Sequence, residues 1–406
     1  MKIYEVGGAV RDALMGLVVH DRDWVVVGAT KEDLLRLGYR PVGKDFPVFL
    51  NSETGEQYAL ARTEQKTAPG YHGFSFDTST TVTLEEDLAR RDLTVNAMAR
   101  DENDHIIDPY GGRTDLKRKV LRHVSDAFAE DPLRVLRVAR FSARFAELGF
   151  SVATETLELM KKMVNGGELD TLKPERVWQE TNKALGEVSP QRYFQILRDC
   201  GALTKVFPEV EALFGVPQPV QWHPEIDTGI HTMMALTIAA SLSEKTEIRF
   251  AALTHDLGKA TTPREILPSH HGHEKRSLKV LASLCTRLPV PKRYRLLAEA
   301  VAQYHGLVHK AQSLRPTTLH KIIATVDGIR RPSRFEDFLV ACEADARGRK
   351  GLEERAYPQA EILRCALHAA RAVRTDDVEN APKGQELGEL IRLRQIEAIA
   401  TAIKTN

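Results

Sequence analysis

The sequence predicts an α+β protein: a head of about 120 residues built on a mixed sheet, followed by a long all-helical remainder. Three observations predict this. Short apolar runs, Lys2 to Val6 and Trp24 to Val27 among them, are separated by glycine turns and short helical patterns in the first part of the chain. Beyond about residue 121 the apolar spacing is helical nearly throughout. Prolines such as Pro132 and Pro174 stand where first helical turns are expected.

Lys2 to Val6 reads as the first strand and Ala9 to Leu14 as a helix, which leaves Gly7 and Gly8 in the turn between them. Lacking side chains, these glycines let backbone approach a polyanion, and the unpaired N–H groups at the helix start point toward it. Arg11, one turn in, can add a guanidinium fork. In His20-Asp21-Arg22-Asp23-Trp24-Val25-Val26-Val27-Gly28 the apolar run is a second strand, and residues two apart on a strand share a face. Asp21 and Asp23 therefore point together. Two such carboxylates repel unless a cation lies between them, and hard oxygen donors with few protein contacts suit Mg²⁺ carrying a nucleotide's phosphates. A polar strand start after a glycine turn is the plainer alternative; the two motifs at this spacing favour the metal.

Thr30-Lys31-Glu32-Asp33 opens a helix that Gly38 can end, and Phe46 to Leu50 with Gln57 to Arg62 reads as a hairpin around Asn51 to Glu56. Gln65 to Thr81, rich in Gly, Thr and Ser, is expected to be a mobile loop. Thr83-Leu84-Glu85-Glu86 is a full capping box, and the helix it opens is expected to contain Arg90 to Ala97, including Arg91. Further on, Asp131 suits an N-cap and Pro132 a first helical position. Arg134, Arg137, Arg140 and Arg144 then fall within about 120° of one helix face. With no acidic partner four residues away, that stripe points to an anionic ligand rather than a solvated surface.

The composition limits the function classes. With 57 basic and 56 acidic residues among 406, the net charge is +1, so a polyanion must be met by a local patch. Cys200, Cys285, Cys342 and Cys365 are widely spaced and fit reduced thiols, which excludes a disulfide framework. No apolar run reaches the roughly 18 residues of a membrane span. The longest, Thr232 to Ser243, suits a buried helix. A soluble cytoplasmic protein is expected, with no membrane partner and with monomer and homodimer both open. There is no internal repeat.

Gly7-Gly8-Ala9-Val10-Arg11-Asp12 with Asp21-Arg22-Asp23 resembles the polymerase-β-like nucleotidyltransferase head of bacterial class II CCA-adding enzymes and the related poly(A) polymerases. The string Arg90-Arg91-Asp92-Leu93-Thr94-Val95-Asn96-Ala97 and Glu130-Asp131-x-x-Arg134 extend the likeness. The resemblance implies template-independent addition of C, C and A to tRNA from CTP and ATP. In it Asp21 and Asp23 are catalytic and hold Mg²⁺, Gly8, Arg11, Arg91, Arg137 and Arg140 bind the nucleotide, and Asp131 and Arg134 read its base. A third carboxylate, usual in related polymerases, has no clear place in the sequence.

A second constellation follows a turn-rich boundary near residue 220. His231 precedes Phe250-Ala251-Ala252-Leu253-Thr254-His255-Asp256-Leu257-Gly258-Lys259, and the adjacent His-Asp pair resembles the ligand pattern of the HD phosphohydrolases. Imidazole and carboxylate together suit a borderline divalent metal. His231, His255 and Asp256 are the expected ligands, His255 and Asp256 the catalytic pair. His273, His305 and Asp345 are further candidates that packing or surface roles explain equally well, and His270 to His273 reads as a solvated loop or a phosphate contact. The resemblance implies 2′,3′-cyclic phosphodiesterase, 2′-nucleotidase and phosphatase activity, with Ni²⁺ as the metal. The expected division is a head over 1–120, a helical neck and body over 121–220, an HD domain over 221–350 and a helical tail over 351–406. The rivals are a poly(A) polymerase, a protein uridylyltransferase and a non-catalytic RNA-binding module.

Overall fold

The computed structural model describes residues 1–42, 48–66, 74–374 and 385–404. The chain forms two compact units, Met1–Val206 and Phe207–Asn406.

The first unit is built on a seven-stranded sheet of order β3-β4-β5-β2-β1-β8-β9, with β1 Lys2–Val6, β2 Asp23–Val27, β3 Arg40–Val42, β4 Val48–Leu50, β5 Gln57–Leu60, β8 Ala99–Arg100 and β9 Ile106–Ile107. β2 runs antiparallel to β1 and parallel to β5, so the sheet is mixed. Its centre is buried on both faces, which explains the continuous apolar run of β2. Val25 packs with Val6, Leu84 and Leu88, whereas Val26 packs with Leu34, Phe49 and Leu60. The helices α1 Gly8–Leu14, α2 Lys31–Arg36 and α3 Leu84–Ala89 connect these strands. Capping boxes form at Thr30 with Asp33 and at Thr83 with Glu86.

Two expectations about this unit need correction. Part of the Gln65–Thr81 loop is an antiparallel ribbon of β6 Thr63–Lys66 and β7 Phe74–Asp77 with Thr63 opposite Asp77; residues 67–73 lie outside the described residues. The loop-like composition masked the period-two pattern of Phe74-Ser75-Phe76. The helix of Thr83 stops at Ala89 instead of running to Ala97, with Thr94–Asn96 forming a separate 3₁₀ turn. Leu93 is extended there and bridges His123, and Asp92 Oδ1 accepts from the Leu93 N–H and Asn96 Nδ2, so local side-chain bonds replace the helical ladder.

The unit continues through α4 Gly112–Arg118, a two-stranded parallel pair of β10 Val120–Leu121 with β11 Ser151–Val152, and helices α5 Leu133–Arg144, α6 Thr154–Asn165, α7 Pro174–Gly186, α8 Gln191–Asp199 and α9 Ala202–Val206. The second unit holds α10 Pro208–Glu211, α11 Thr228–Leu242, α12 Thr246–Thr254, α13 His273–Arg287, α14 Lys292–Val308, α15 Pro316–Thr325, α16 Pro332–Arg347, α17 Gln359–Ala372 and α18 Gln385–Ala402. α11 packs on α12 and α16, and α14 packs on α12, α13 and α16. The ends of these helices converge on one buried cluster of histidines and aspartates. Among the described residues no helix is long and apolar enough to cross a membrane.

Candidate active sites

In the head, strand register places the metal candidates. Val6 pairs with Asp23, so the Gly7-Gly8 turn that ends β1 lies beside the start of β2, with Asp21 two residues before it. Both aspartates reach solvent. The surrounding protein and the Asp21 charge raise the Asp23 carboxyl above its ordinary value, against the pull of Arg91. An oxygen pair under such repulsion fits a hard divalent cation. Gly7 has φ +73° and ψ −129°, open only to glycine, and a Cβ there would lie 2.9 Å from Arg91 Nη1. Gly7→Ala is therefore expected to cost about 1–3 kcal/mol of stability, read as a lower urea midpoint.

Arg91 is held at 3.2 Å by Asp87, with its Nε buried and without a hydrogen bond. Arg11 is buried: its guanidinium bonds Asp12 and Asn96 and lies over the Phe141 and Phe145 rings. The arginines of α5 likewise have partners. Arg137 donates to Asp92 at 2.8 Å, Arg140 to Glu180 at 2.8 Å and Arg144 to Asp12 at 2.9 Å. Arg134 is buried and donates to the carbonyls of Ala127 and Arg90 at 2.7 and 2.6 Å. The stripe indeed has no acidic partner four residues away, but that does not leave it unpaired, because Arg137, Arg140 and Arg144 take carboxylates from other elements. Burial alone would raise the Asp92 carboxyl, but Arg137 and Asn96 hold it well below its ordinary value. Asp131 is expected to cap α5 but sits one place before the cap: Pro132 takes the N-cap position, and Asp131 accepts from the Leu133 N–H at 3.0 Å and from Arg176 at 3.2 Å.

In the second unit His231 on α11, His255 and Asp256 just past α12, and Asp345 on α16 meet in the interior, each at most 2% exposed. Asp345 Oδ1 lies 3.0 Å from His231 Nε2 and 3.5 Å from His255 Nε2, and Asp256 Oδ2 lies 3.1 Å from His255 Nε2. His273 at the start of α13 and His305 near the end of α14 approach Asp256 Oδ1 at 3.3 and 3.5 Å. All three further candidates therefore join the site. Gly258 shapes this end of the cluster, since a Cβ there would meet the Ser277 nitrogen at 2.2 Å. His270 has a different place: it bonds Thr262 and the Pro217 carbonyl, so it braces the loop. His255 Nε2 and both Asp256 oxygens are buried without a hydrogen bond. Burial would lower the His255 pKa, but Asp256 and Asp345 push it up to about 10, the mark of an imidazole facing concentrated negative charge. Such a donor set fits a divalent transition metal.

Residues 3–122 match the family described as Poly A polymerase head domain, 149–214 the probable RNA and SrmB-binding site of polymerase A, and 228–331 the HD domain. A multifunctional CCA protein of Thioalkalivibrio sulfidiphilus is 61% identical over 98% of this chain and 98% of its own length. The chain belongs to the multifunctional CCA protein family. Two solved structures share the fold of this family member. One is a CCA-adding enzyme in complex with ATP, at TM-score 0.66 and 19% identity, covering 98% of this chain and 86% of the other. The second is the Thermotoga maritima CCA-adding enzyme complexed with tRNA, at TM-score 0.62 and 18% identity, covering 100% and 91%.

For a multifunctional CCA family member, several residues at the second site escape the sequence. Lys259 forms an ion pair with Asp256 Oδ2 at 2.6 Å, and His309 Nε2 lies 2.6 Å from Asp345 Oδ2. Glu225 takes the outer nitrogen of His231: its Oε1 lies 3.1 Å from Nδ1, beside the Gly348 carbonyl at 3.0 Å. Because Nδ1 donates outward, its Nε2 lone pair is left facing Asp345. Glu225→Ala is expected to weaken divalent-metal affinity about tenfold by loosening this ring, as measured by calorimetric titration.

Proposed function

We propose that the head of this chain adds C, C and A to the 3′ end of tRNA from CTP and ATP, and that the HD site hydrolyses phosphoesters, including 2′,3′-cyclic phosphates and 2′-nucleotides. The observation that carries the reading is the placement of Asp23 beside the Gly7-Gly8 turn and Arg91, in a chain of this family. The structurally similar enzymes bound to ATP and to tRNA support these partners. The cytoplasm is the compartment that holds these substrates together.

In this reading Asp21 and Asp23 hold Mg²⁺. When bound, that ion neutralises the triphosphate and acidifies the terminal ribose hydroxyl. Gly8 leaves room for the phosphates near the backbone, and Arg91, whose Nη1 lies beside Gly7, is the guanidinium that meets them. Asp131 and Arg134 read the base edge, and Arg137 and Arg140 complete the pocket. Arg11, clamped between Asn96 and two phenylalanines, acts by fixing the turn against α5. The carboxylates beside Arg137 and Arg140 and the carbonyls beside Arg134 keep each guanidinium in one orientation, so little side-chain entropy is lost when a nucleotide arrives.

In the HD site His231, His255 and Asp256, with Asp345, hold a divalent transition ion, for which we favour Ni²⁺. Bound there, it supplies Lewis acidity toward a phosphoester. Lys259, buried beside Asp256 and donating to Gln218 Oε1 at 2.6 Å, offers a cation to the substrate phosphate. We assign 1–120 to transfer, 121–220 to nucleotide selection and tRNA binding, and 221–350 to hydrolysis.

The test is incubation of the chain with a tRNA lacking its terminal CCA, Mg²⁺ and labelled CTP or ATP. Two C and one A, added in that order, are expected. Long A tails on any RNA would identify a poly(A) polymerase instead, and no incorporation would sink the transfer reading.

A further inference from the structure

Within residues 220–230 the side chains of Val220, Trp222, Ile226 and Ile230 stand in solvent, Trp222 at 63% exposure. Leaving an indole in water forfeits hydrophobic stabilisation, and several such side chains in one short segment mark a binding surface. The segment is nonetheless firmly held. The Trp222 N–H donates to the Pro219 carbonyl at 3.0 Å, and the Gln218 N–H to the Ile226 carbonyl at 2.7 Å. Ile226 has φ +64°, a strained conformation for a β-branched residue, and its N–H donates to the His223 carbonyl at 2.9 Å.

The same segment adjoins the HD site. His223, next to Trp222, packs its ring on that of His231, with centroids 4.6 Å apart, and Glu225 lies against the two rings at 3.0 and 3.1 Å. The turn after α16 meets it there. The Gly348 carbonyl lies 3.0 Å from His231 Nδ1, and a Cβ on Gly348 would come within 2.4 Å of the Ala235 Cα, so this turn is pressed onto α11. Arg349 then spans from one side to the other: Nη1 lies 3.4 Å from the Trp222 carbonyl and Nη2 lies 3.7 Å from Asp345 Oδ1. Both contacts are longer than the roughly 2.8 Å of a charge-assisted hydrogen bond, and Nε has no hydrogen bond. A loosely engaged guanidinium therefore stands between an exposed indole and the buried histidine-aspartate cluster.

We infer that Trp222 and Arg349 form a nucleoside subsite at the rim of the HD site: Trp222 stacks on the base of the terminal nucleotide of an RNA, and Arg349 donates to an oxygen of its phosphate. Stacking needs only the π-face that every base has, so the indole accepts RNA ends of any sequence. The planar fork of Arg349 matches phosphate geometry. Because its loop is already ordered, Trp222 loses little freedom when a base arrives. The subsite makes the HD site favour nucleotides over phosphoesters that carry no base. This inference rests on the reading of the HD site as a hydrolase of cyclic phosphates.

The test compares hydrolysis of 2′,3′-cyclic AMP with that of glycerol 1,2-cyclic phosphate, which keeps the ring ester and lacks a base, by the full chain with Ni²⁺. The parent's KM for the nucleotide is expected to lie about tenfold below its KM for the glycerol ester. Trp222→Ala should close that gap by raising the nucleotide's KM, with kcat for the nucleotide within about twofold of the parent, and Trp222→Phe should reopen most of it. Arg349→Gln should raise KM for both esters alike. In the chelator-treated protein 2′,3′-cyclic AMP should quench indole emission, and Trp222→Phe should remove that quench. No difference in KM between the two esters in the parent, or a gap that survives Trp222→Ala, would overturn the subsite and leave hydrolysis standing. Kinetics unchanged by Trp222→Ala, with loss of a dimer seen by light scattering, would make residues 220–230 a contact between copies of the chain instead. A parent that cleaves neither ester would overturn the hydrolysis reading and the inference with it.

Discussion

Asp23→Asn is expected to reduce CCA addition to tRNA by about a thousandfold, while the chain's phosphoester hydrolysis stays within about twofold of the parent. The magnitude corresponds to about 4 kcal/mol of lost transition-state stabilisation, the scale on which a metal ion acts on a transferring phosphoryl group. Asn keeps the size of the side chain and removes only the charge. Asp23 has its carboxyl raised by the surrounding protein and by Asp21, so its ionised form costs the fold stability at neutral pH. Neutralising it should therefore leave the thermal midpoint, measured with a chelator present, equal to or above the parent's. Activity and stability moving in opposite directions is the signature of a residue kept for chemistry; a parallel fall in both would mean that Asp23 is structural. The two readouts separate because among the described residues Asp23 makes no ion pair that its replacement would break, Arg91 being paired with Asp87.

How much of this was legible in the sequence depended on the range of the interaction that fixes each residue. The Gly7-Gly8 turn, the strand of Asp23 and the boxes at Thr30 and Thr83 follow from neighbours within four positions, and the structure has all of them. The arginines of α5 were visible, but their partners were not: Asp92, Glu180 and Asp12 stand 45, 40 and 132 positions away. An i+4 rule describes an isolated helix, and α5 is a buried one. The same limit acts at the HD site. His255 and Asp256 stand adjacent and could be read, and Asp345 could be named as a candidate without being placed; His309 and Glu225 join them only through the packing of α11 and α14 against α16 and its neighbours. Sequence spacing carried no information about His309, whose distance from Asp345 is set by the packing of two helices. The early end of α3 was missed for a related reason: Asp92 bonds its own neighbours and Arg137 at once, a choice that propensity alone does not reveal.

Asp256→Asn should abolish phosphoester hydrolysis, by about a thousandfold or more, with CCA addition retained. Asp256 Oδ2 lies near His255 and its Oδ1 near His273 and His305, so its loss disturbs both the His231–His255–Asp256 and the Asp256–His273–His305 grouping. Asn retains one oxygen but presents an amide in place of the other. That amide can donate a hydrogen bond to a histidine Nε2, and such a bond occupies the lone pair a metal requires. Two measurements check this: hydrolysis of a 2′,3′-cyclic nucleotide, and calorimetric titration with Ni²⁺. Loss of both, with CCA addition unchanged, follows if the carboxylate is the centre of the metal site. Loss of hydrolysis with Ni²⁺ binding intact would instead make Asp256 a group that handles the substrate. The Lys259 ammonium sharpens the contrast, since it keeps Gln218 as a partner when Asp256 is neutralised, and the buried cation is not left bare.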